Sequence, residues 1–160
     1  GIAKDSETLE DMVVYRALYG AGELWVRPAS MWDEEVVRDG VTYYFIDNEY
    51  YFKRDKLYGD FDDGERFAYF CEAVLSCLPY IDFIPDVLHA HDWQAALAVI
   101  YLKVKYKKDW RYGRVKSVFT IHNIEYQGKY DPYILGSLFG LGNEHLPLMC
   151  YDGCINLMKA

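Results

Sequence analysis

The sequence lacks any apolar run long enough to cross a bilayer, which takes about 20 consecutive apolar residues, and it has no internal repeats or low-complexity stretches. These absences argue against a membrane-spanning helix and against a repeat protein. Basic residues are also in the minority, with 17 Lys and Arg against 25 Asp and Glu and a net charge of −8. Because binding to nucleic acid needs a basic surface, neither nucleic acid nor a membrane is expected as a partner.

Cysteines are too sparse for a secreted disulfide scaffold. The four present, Cys71, Cys77, Cys150 and Cys154, are expected to be reduced thiols in a cytoplasmic protein. If their region is helical, Cys150 and Cys154 face one side of that helix. A zinc site needs two further ligands nearby, so a structural role is favoured and neither a metal nor a cofactor is predicted.

The basic residues cluster between 103 and 116 and allow two interpretations. One is a stripe that binds phosphate groups. The other, which is favoured, is a set of cations at a helix C-terminus followed by a solvated loop.

Hydrophobic residues make up 52% of the 160-residue chain, which is enough for a core, and we predict a single domain over residues 1–160. Residues 1–12 are polar and are predicted to form a loop or a helix edge. Asp39-Gly40 between β-branched residues predicts a β-hairpin near 36–46, because both turn residues tolerate positive φ. Residues 47–64 are predicted to form a long surface loop.

Alternating helix and strand patterns follow that loop. Asp62, three residues before Glu65, predicts a helix start, and Pro79 predicts its end. A buried strand over 86–90, a helix with an apolar stripe over 93–104 and a strand over 117–121, covered on both faces, then form a βαβ unit. This pattern predicts an α/β fold with a Rossmann-like, doubly wound, mainly parallel sheet. Two further helical segments are predicted near 133–139 and over 155–160.

Polar residues follow both predicted strands of the βαβ unit. The first strand leads into His89, His91 and Asp92, and the second leads into His122 and Asn123. The carboxyl ends of parallel strands line the ligand crevice of an open sheet, so these residues predict a ligand site. Structural roles remain open, because Asp92 can cap the helix that begins at Trp93 and His89 can be a hydrogen-bonded core histidine.

A metal site is the alternative for the same residues. His89 and His91 point to the same side of a strand, as in hydrolases that hold zinc through a His-x-His pair. His122 offers a third ligand, but no aspartate is an obvious candidate to complete the shell.

Two long motifs carry a family resemblance. Residues 86–94, DVLHAHDWQ, and residues 117–128, SVFTIHNIEYQG, closely resemble the paired motifs of bacterial glycogen synthases and plant starch synthases, members of glycosyltransferase family five. Shorter stretches resemble the same family, at 43–47, 51–54, 57–59, 62–67 and 155–160. The weakest region is 1–35.

The resemblance implies a GT-B fold, in which two Rossmann-like domains enclose the active site. It implies that ADP-glucose is the donor, that the non-reducing end of an α-1,4-glucan is the acceptor, and that the α configuration is retained. No metal and no cofactor are implied. The expected partners are therefore this glucan, the nucleotide sugar, and the C-terminal domain of the same parent chain.

The resemblance also implies roles for individual residues. His122 lies beside the anomeric centre of the donor, and Asp92 binds hydroxyl groups or polarises the acceptor. Asn123 supports the sugar or holds His122, and His91 contributes to substrate binding. The acceptor channel is shaped by Tyr51, Phe52, Arg54 and Tyr58, while Tyr126 and Gln127 position the loop after His122 or contact sugar.

Two parts of the family pattern do not occur in this sequence. These are the Lys-x-Gly-Gly-Leu loop that approaches the donor phosphates and the second Rossmann-like domain. The chain alone is therefore expected to be a catalytically inactive part of the N-terminal domain. A glucan-binding module without catalysis is the alternative.

Overall fold

The computed structural model describes residues 2–16, 24–28 and 36–159. The chain forms two compact units, Gly1–Arg54 and Asp55–Ala160. A compact unit is not necessarily a domain, so the single partial domain over 1–160 stays a prediction.

The first unit contains a three-stranded antiparallel sheet in the order β1 (Ile2–Lys4), β2 (Asp11–Arg16), β3 (Leu24–Pro28). The prediction of a loop or helix edge over 1–12 is therefore wrong. The turn between β1 and β2 begins at Asp5, whose carboxylate accepts the backbone N–H groups of Glu7 and Thr8 at 2.9 and 2.8 Å. An aspartate that bonds the backbone two and three residues on stabilises such a turn.

The predicted hairpin is present as β4 (Val36–Arg38) and β5 (Val41–Tyr43), although its second strand ends before Ile46. Its turn residues Asp39 and Gly40 have φ values of 55° and 77°, as the Asp-Gly signal predicts. The predicted loop over 47–64 contains a short helix, α1 (Glu49–Phe52), which is capped by Asn48 through a 3.1 Å bond from the Tyr51 N–H.

In the second unit, α2 (Asp63–Cys77) begins directly after Asp62 and is followed by a 3-10 turn that contains Pro79. Both ends match the prediction, but the Asp62 side chain does not make the capping hydrogen bond. The apolar stripe of α2 packs on α3 (Asp92–Val104). Most of the predicted stripe of α3 is buried there, namely Trp93, Ala96, Leu97, Ile100 and Tyr101.

Two buried tyrosines of this core satisfy their hydroxyl groups on backbone carbonyls. Tyr101 donates to the carbonyl of Phe139 at 3.1 Å, and Tyr112 donates to that of Leu75 at 2.6 Å. Burial raises the pKa of Tyr101 above the ordinary value, because the phenolate would lose its hydration. The aromatic rings thus fill the core while their polar tips remain bonded.

Helix α3 joins two parallel strands, β6 (Val87–His91) and β7 (Lys116–Thr120), which pair in register from Val87 with Lys116 to His91 with Thr120. The structure thus confirms a mixed α/β fold with a parallel strand pair, and the doubly wound sheet stays a prediction. The expectation that both strands are buried is wrong, because Val87 and Val118 are 49% and 45% exposed. Helix α3 covers only the opposite face, where Ala90 is buried.

The remaining segments are short: β8 (Lys129–Tyr130), α4 (Ile134–Ser137), α5 (Leu146–Met149), β9 (Cys150–Tyr151) and β10 (Cys154–Asn156). Helix α4 confirms the prediction near 133–139. The helix predicted over 155–160 is wrong, since β10 leads into a 3-10 turn over Leu157–Lys159. The helical placement of Cys150 and Cys154 is also wrong, because a turn at Asp152 and Gly153, with φ of 51° and 75°, makes their segment a hairpin.

Within the described ranges, no helix is long and apolar enough to cross a membrane. The basic segment after α3 includes two cations paired with carboxylates. Lys105 bonds Glu72 at 2.8 Å, and Arg111 bonds Asp109 at 2.6 Å.

Candidate active site

The parallel strands bring Asp92 and His122 together at their carboxyl ends. His91 and Thr120 are the last paired residues of β6 and β7, and the next residues leave the sheet on the same side. The carboxylate of Asp92 accepts the backbone N–H of His122 at 2.7 Å. A charged acceptor makes this a strong hydrogen bond, and it fixes the start of the chain that follows β7.

Asp92 has an unusual backbone conformation. Its φ is +59°, a left-handed value that L-residues other than glycine adopt rarely and aspartate tolerates better than most. Helix α3 begins at Asp92 with His91 at the N-cap, and no side chain caps it, so Asp92 is not the cap considered from the sequence. Strained residues of this kind cost about 1–3 kcal/mol and cluster at functional sites.

Three histidine rings lie in a row on the open face of the strand pair. Nε2 of His89 lies 2.7 Å from Oγ1 of Thr120, and Nδ1 of His91 lies 3.0 Å from Nε2 of His122. The ring centroids of His89 and His91 are 4.1 Å apart, and those of His91 and His122 are 5.3 Å apart with near-parallel planes. All three histidines are exposed in this chain, so His89 is hydrogen-bonded but does not belong to the core that the structure describes.

This row does not resemble a metal centre. The facing nitrogens of His91 and His122 bond each other, whereas metal ligands turn their nitrogens to one central point. In the part of the chain that the structure describes, no group of three or more His, Cys, Asp or Glu side chains could hold a metal ion. The hydrolase alternative therefore receives no support.

The loop after His122 is held by its own amide side chains. The Asn123 side-chain oxygen accepts the backbone N–H of Glu125 at 3.0 Å. The Gln127 amide donates to the carbonyl of Ile124 at 2.8 Å and accepts from Asn156 at 2.7 Å. Both predicted binding residues thus shape the loop, and Asn123 is exposed at its start.

Beside this loop lies an open depression of about 280 Å³, lined by three aromatic residues, Tyr58, Trp93 and Tyr126, and by Glu125, Gln127, Gly128 and Lys129. The ring of Tyr58 lies 5.8 Å from that of Tyr126 and 6.0 Å from that of Trp93. The aromatic faces and the polar groups around them suit a sugar, which presents apolar C–H surfaces and hydroxyl groups together.

Arg66 on α2 fixes the segment that carries Tyr58. Its buried guanidinium donates to the Leu57 carbonyl at 3.1 Å and to the carboxylates of Asp60 and Asp63 at 3.2 and 2.7 Å. The backbone N–H of Gly59 also donates to Asp63. Tyr58 is therefore presented by a segment that buried ionic bonds tie to the helix.

The predicted site residues are divided between the two compact units. Tyr51 and Phe52 on α1 and Arg54 after it belong to the first compact unit, whereas the other predicted residues belong to the second: Tyr58, His91, Asp92, His122, Asn123, Tyr126 and Gln127. Sequence reasoning missed Trp93 as part of the site, because its helical spacing predicted a core residue. It also did not predict that Glu125 and Lys129 line the depression or that Asn156 bonds Gln127, although Glu125 lies within the second motif.

Comparisons with known proteins agree on one family. The sequence model for the starch synthase catalytic domain matches residues 2–160. The glycogen synthase of Bacillus cereus is 52% identical over 124 residues, which cover 76% of this chain and 26% of that protein. The glycogen synthase of Anoxybacillus flavithermus is 48% identical over 128 residues, which cover 79% of this chain and 26% of that protein.

A solved structure supports the same relationship. The catalytic domain of starch synthase IV from Arabidopsis thaliana, bound to ADP and acarbose, superposes with a TM-score of 0.65 at 27% identity, covering 96% of this chain and 32% of that one. The chain thus spans about a quarter of the length of the curated relatives it matches.

Proposed function

The chain belongs to the starch synthase catalytic domain family, and on that premise we propose that the full-length protein carrying it is a glycogen synthase. It transfers glucose from ADP-glucose to the non-reducing end of an α-1,4-glucan and retains the α configuration. The observation that carries the proposal is the bond between the Asp92 carboxylate and the His122 N–H at the end of two parallel strands.

His122 acts at the anomeric centre of the donor. Its backbone is fixed by Asp92 and its ring by His91, so it orients the bound glucose without rearranging during the reaction. The positive charge that develops on the sugar ring is stabilised by the negative charge of Asp92. Asn123 and His91 complete the contacts to the sugar.

The aromatic depression binds the glucan. Tyr58 and Tyr126 stack on sugar rings, and Gln127 offers hydrogen bonds at its edge. Tyr51, Phe52 and Arg54 extend the acceptor channel. The similar Arabidopsis thaliana domain is bound to ADP and acarbose, which supports a site for a nucleotide sugar beside a site for a carbohydrate.

The strand pair is proposed to form part of a larger doubly wound sheet in a GT-B enzyme. The half-exposed Val87 and Val118 support this arrangement, because a complete sheet of that type has both faces covered. The C-terminal domain of the same parent chain completes the cleft, and the chain alone is inactive. No metal or cofactor takes part, and the four free thiols favour a cytoplasmic location.

The test is an assay of the full-length protein with ADP-glucose and UDP-glucose over a glycogen primer. We expect transfer from ADP-glucose, and we expect His122→Ala to abolish it while the melting temperature is kept. His145→Ala, in the turn before α5, is the matched control and should retain activity. Glucan binding without transfer from either donor would favour the non-catalytic module, and normal transfer by His122→Ala would refute the site.

A further inference from the structure

Asn156, the last residue of β10, is a buried amide with partners at both ends. It is 4% exposed. Its side-chain oxygen accepts the backbone N–H of Met158 at 3.0 Å, and its side-chain nitrogen donates to the Gln127 oxygen at 2.7 Å. A buried amide is costly unless it is bonded, so these contacts fix its position.

Gln127 connects the fixed side chain of Asn156 to the loop after His122. Its nitrogen donates at 2.8 Å to the carbonyl of Ile124, two residues beyond His122. The carbonyl of Gly128, the residue after Gln127, accepts a hydrogen bond from the N–H of Leu157 at 3.2 Å. The far end of the loop is therefore tied twice to the segment that contains Asn156.

The polarity of the chain of bonds is fixed at both ends. The N–H of Met158 can only donate, so the oxygen of Asn156 must face it and its nitrogen must face Gln127. The carbonyl of Ile124 can only accept, so the nitrogen of Gln127 must face it. The side-chain amides of Asn156 and Gln127 thus each have one orientation that satisfies the Met158 N–H, the Ile124 carbonyl and the bond between the two amides.

We propose that Asn156 is a positioning residue for glucosyl transfer, which acts through Gln127 to hold residues 122–128 in their active arrangement. The inference rests on the proposed function and adds to it a residue outside the strand-end site. Asn156 does not line the depression. Gln127 and Tyr126 line the depression, so a substitution at Asn156 affects the bound substrate only by displacing these two residues.

Asn156→Asp in the full-length protein separates this role from a structural one. The carboxylate still accepts from Met158, but it has no proton to donate to Gln127. Gln127 then turns its nitrogen towards the carboxylate and its oxygen towards the Ile124 carbonyl, which breaks the tie to the loop. We expect kcat for transfer to fall between roughly tenfold and a hundredfold, because small displacements of positioned groups have effects of this size.

Two controls accompany this variant. Asn143→Asp makes the same chemical change at an exposed asparagine before α5 and should leave kcat and KM unchanged. Gln127→Glu keeps an acceptor for Asn156 and removes the donor to Ile124, so the amides of residues 124–128 should exchange faster in this variant too, even if Asn156→Asp folds poorly.

Hydrogen–deuterium exchange gives a readout that does not need activity. The amides of residues 124–128 should exchange at least about tenfold faster in Asn156→Asp, with the helices unchanged. Once Gln127→Ala is present, adding Asn156→Asp should lower kcat no further. Unaltered loop exchange, or fully additive kinetic effects, would overturn the inference. Absence of transfer by the unmodified protein would instead reject the proposed function, while the exchange experiment would still decide whether Asn156 holds the loop.

Discussion

At the scale of single residues, Asp92 has a left-handed backbone conformation. Its carboxylate places a negative charge at the carboxyl ends of the two strands. Asparagine adopts the same backbone region with little strain, and its side chain keeps an oxygen that accepts a hydrogen bond. We therefore predict that Asp92→Asn keeps the fold and the bond from the His122 N–H, but lowers kcat at least roughly a hundredfold, since the negative charge is lost. Steady-state kinetics and thermal unfolding of the full-length protein test this.

Asp92→Ala is the companion variant. It removes the acceptor for the His122 N–H and places a β-carbon without a bonding side chain in the left-handed region. It should therefore lose about 1–3 kcal/mol of stability as well as activity. Equal activity of Asp92→Asn and the parent would show that the charge is not needed.

Gly128 shows how tightly the loop after His122 meets the core. Its φ is +60°, and an added β-carbon would lie 2.7 Å from the ring of Trp93. Gly128→Ala should destabilise the protein by about 2–4 kcal/mol through the strained backbone and the overlap together. Gly153→Ala is the matched control, because its φ is +75° with no atom within 4 Å of the new carbon. Equal losses in urea unfolding would contradict a specific clash with Trp93.

The two Asp-Gly turns show what residue patterns can predict. Asp39-Gly40 was recognised from its β-branched neighbours, and the hairpin is present. Asp152-Gly153 also has positive φ values, but its strands are only two and three residues long, which is too short for an alternating pattern to predict a hairpin.

At the scale of elements, the packing of α2 on α3 buries an ionisable thiol. Cys71 is fully buried and donates to the carbonyl of Gln94 at 3.3 Å. Burial raises its pKa from 9.0 to about 12, because the thiolate would lose its hydration. The folded state therefore holds this proton more tightly than the unfolded state does.

This shift predicts a loss of stability at alkaline pH. The contribution is complete below pH 9, the unfolded value, and is lost as the pH rises towards the folded value of about 12. The free energy of unfolding should fall by about 1.4 kcal/mol per pH unit in that window. Urea unfolding between pH 8 and pH 10, values chosen at roughly one unit on either side of the unfolded pKa, measures it.

Cys71→Ser removes the titration and keeps a donor for the Gln94 carbonyl, so its stability should depend less on pH above 9. Cys150→Ser, in the hairpin of β9 and β10, is the matched cysteine replacement. If both variants kept the slope of the parent, the buried thiol would not be its source.

The strands themselves were predictable, but their surroundings were not. The apolar run at 117–121 correctly predicted β7, and the polar residues after it correctly predicted a meeting of Asp92 and His122. The prediction that both faces are buried was wrong. Hydrophobic residues indicate that a strand can be covered, but they do not indicate which segment covers it. Among the residues that the structure describes, only the face towards α3 is packed.

At the scale of the whole molecule, contacts between segments far apart in the chain could not be predicted from the sequence. The 2.7 Å bond between Asn156 and Gln127 spans 29 positions and follows from the hairpin that the sequence misassigned. Tyr51, Phe52 and Arg54 were grouped with the site through resemblance alone, and that grouping stays a prediction.

The described core lies in one part of the chain. Its buried apolar residues run from Phe67 to Leu157, all within the second compact unit. We therefore predict that residues 55–160 fold without residues 1–54 and unfold in one cooperative transition. Near-ultraviolet circular dichroism during urea unfolding tests this, and a gradual loss of signal would show that the core needs the first unit.

The facing rings of His91 and His122 have a further consequence. Two neutral imidazoles that meet nitrogen to nitrogen at 3.0 Å share a single hydrogen, so the tautomer of one dictates the tautomer of the other. A replacement at position 91 would therefore remove this constraint on which nitrogen of His122 carries its hydrogen, without altering His122 itself. Nitrogen-15 chemical shifts of the two rings would report this coupling directly.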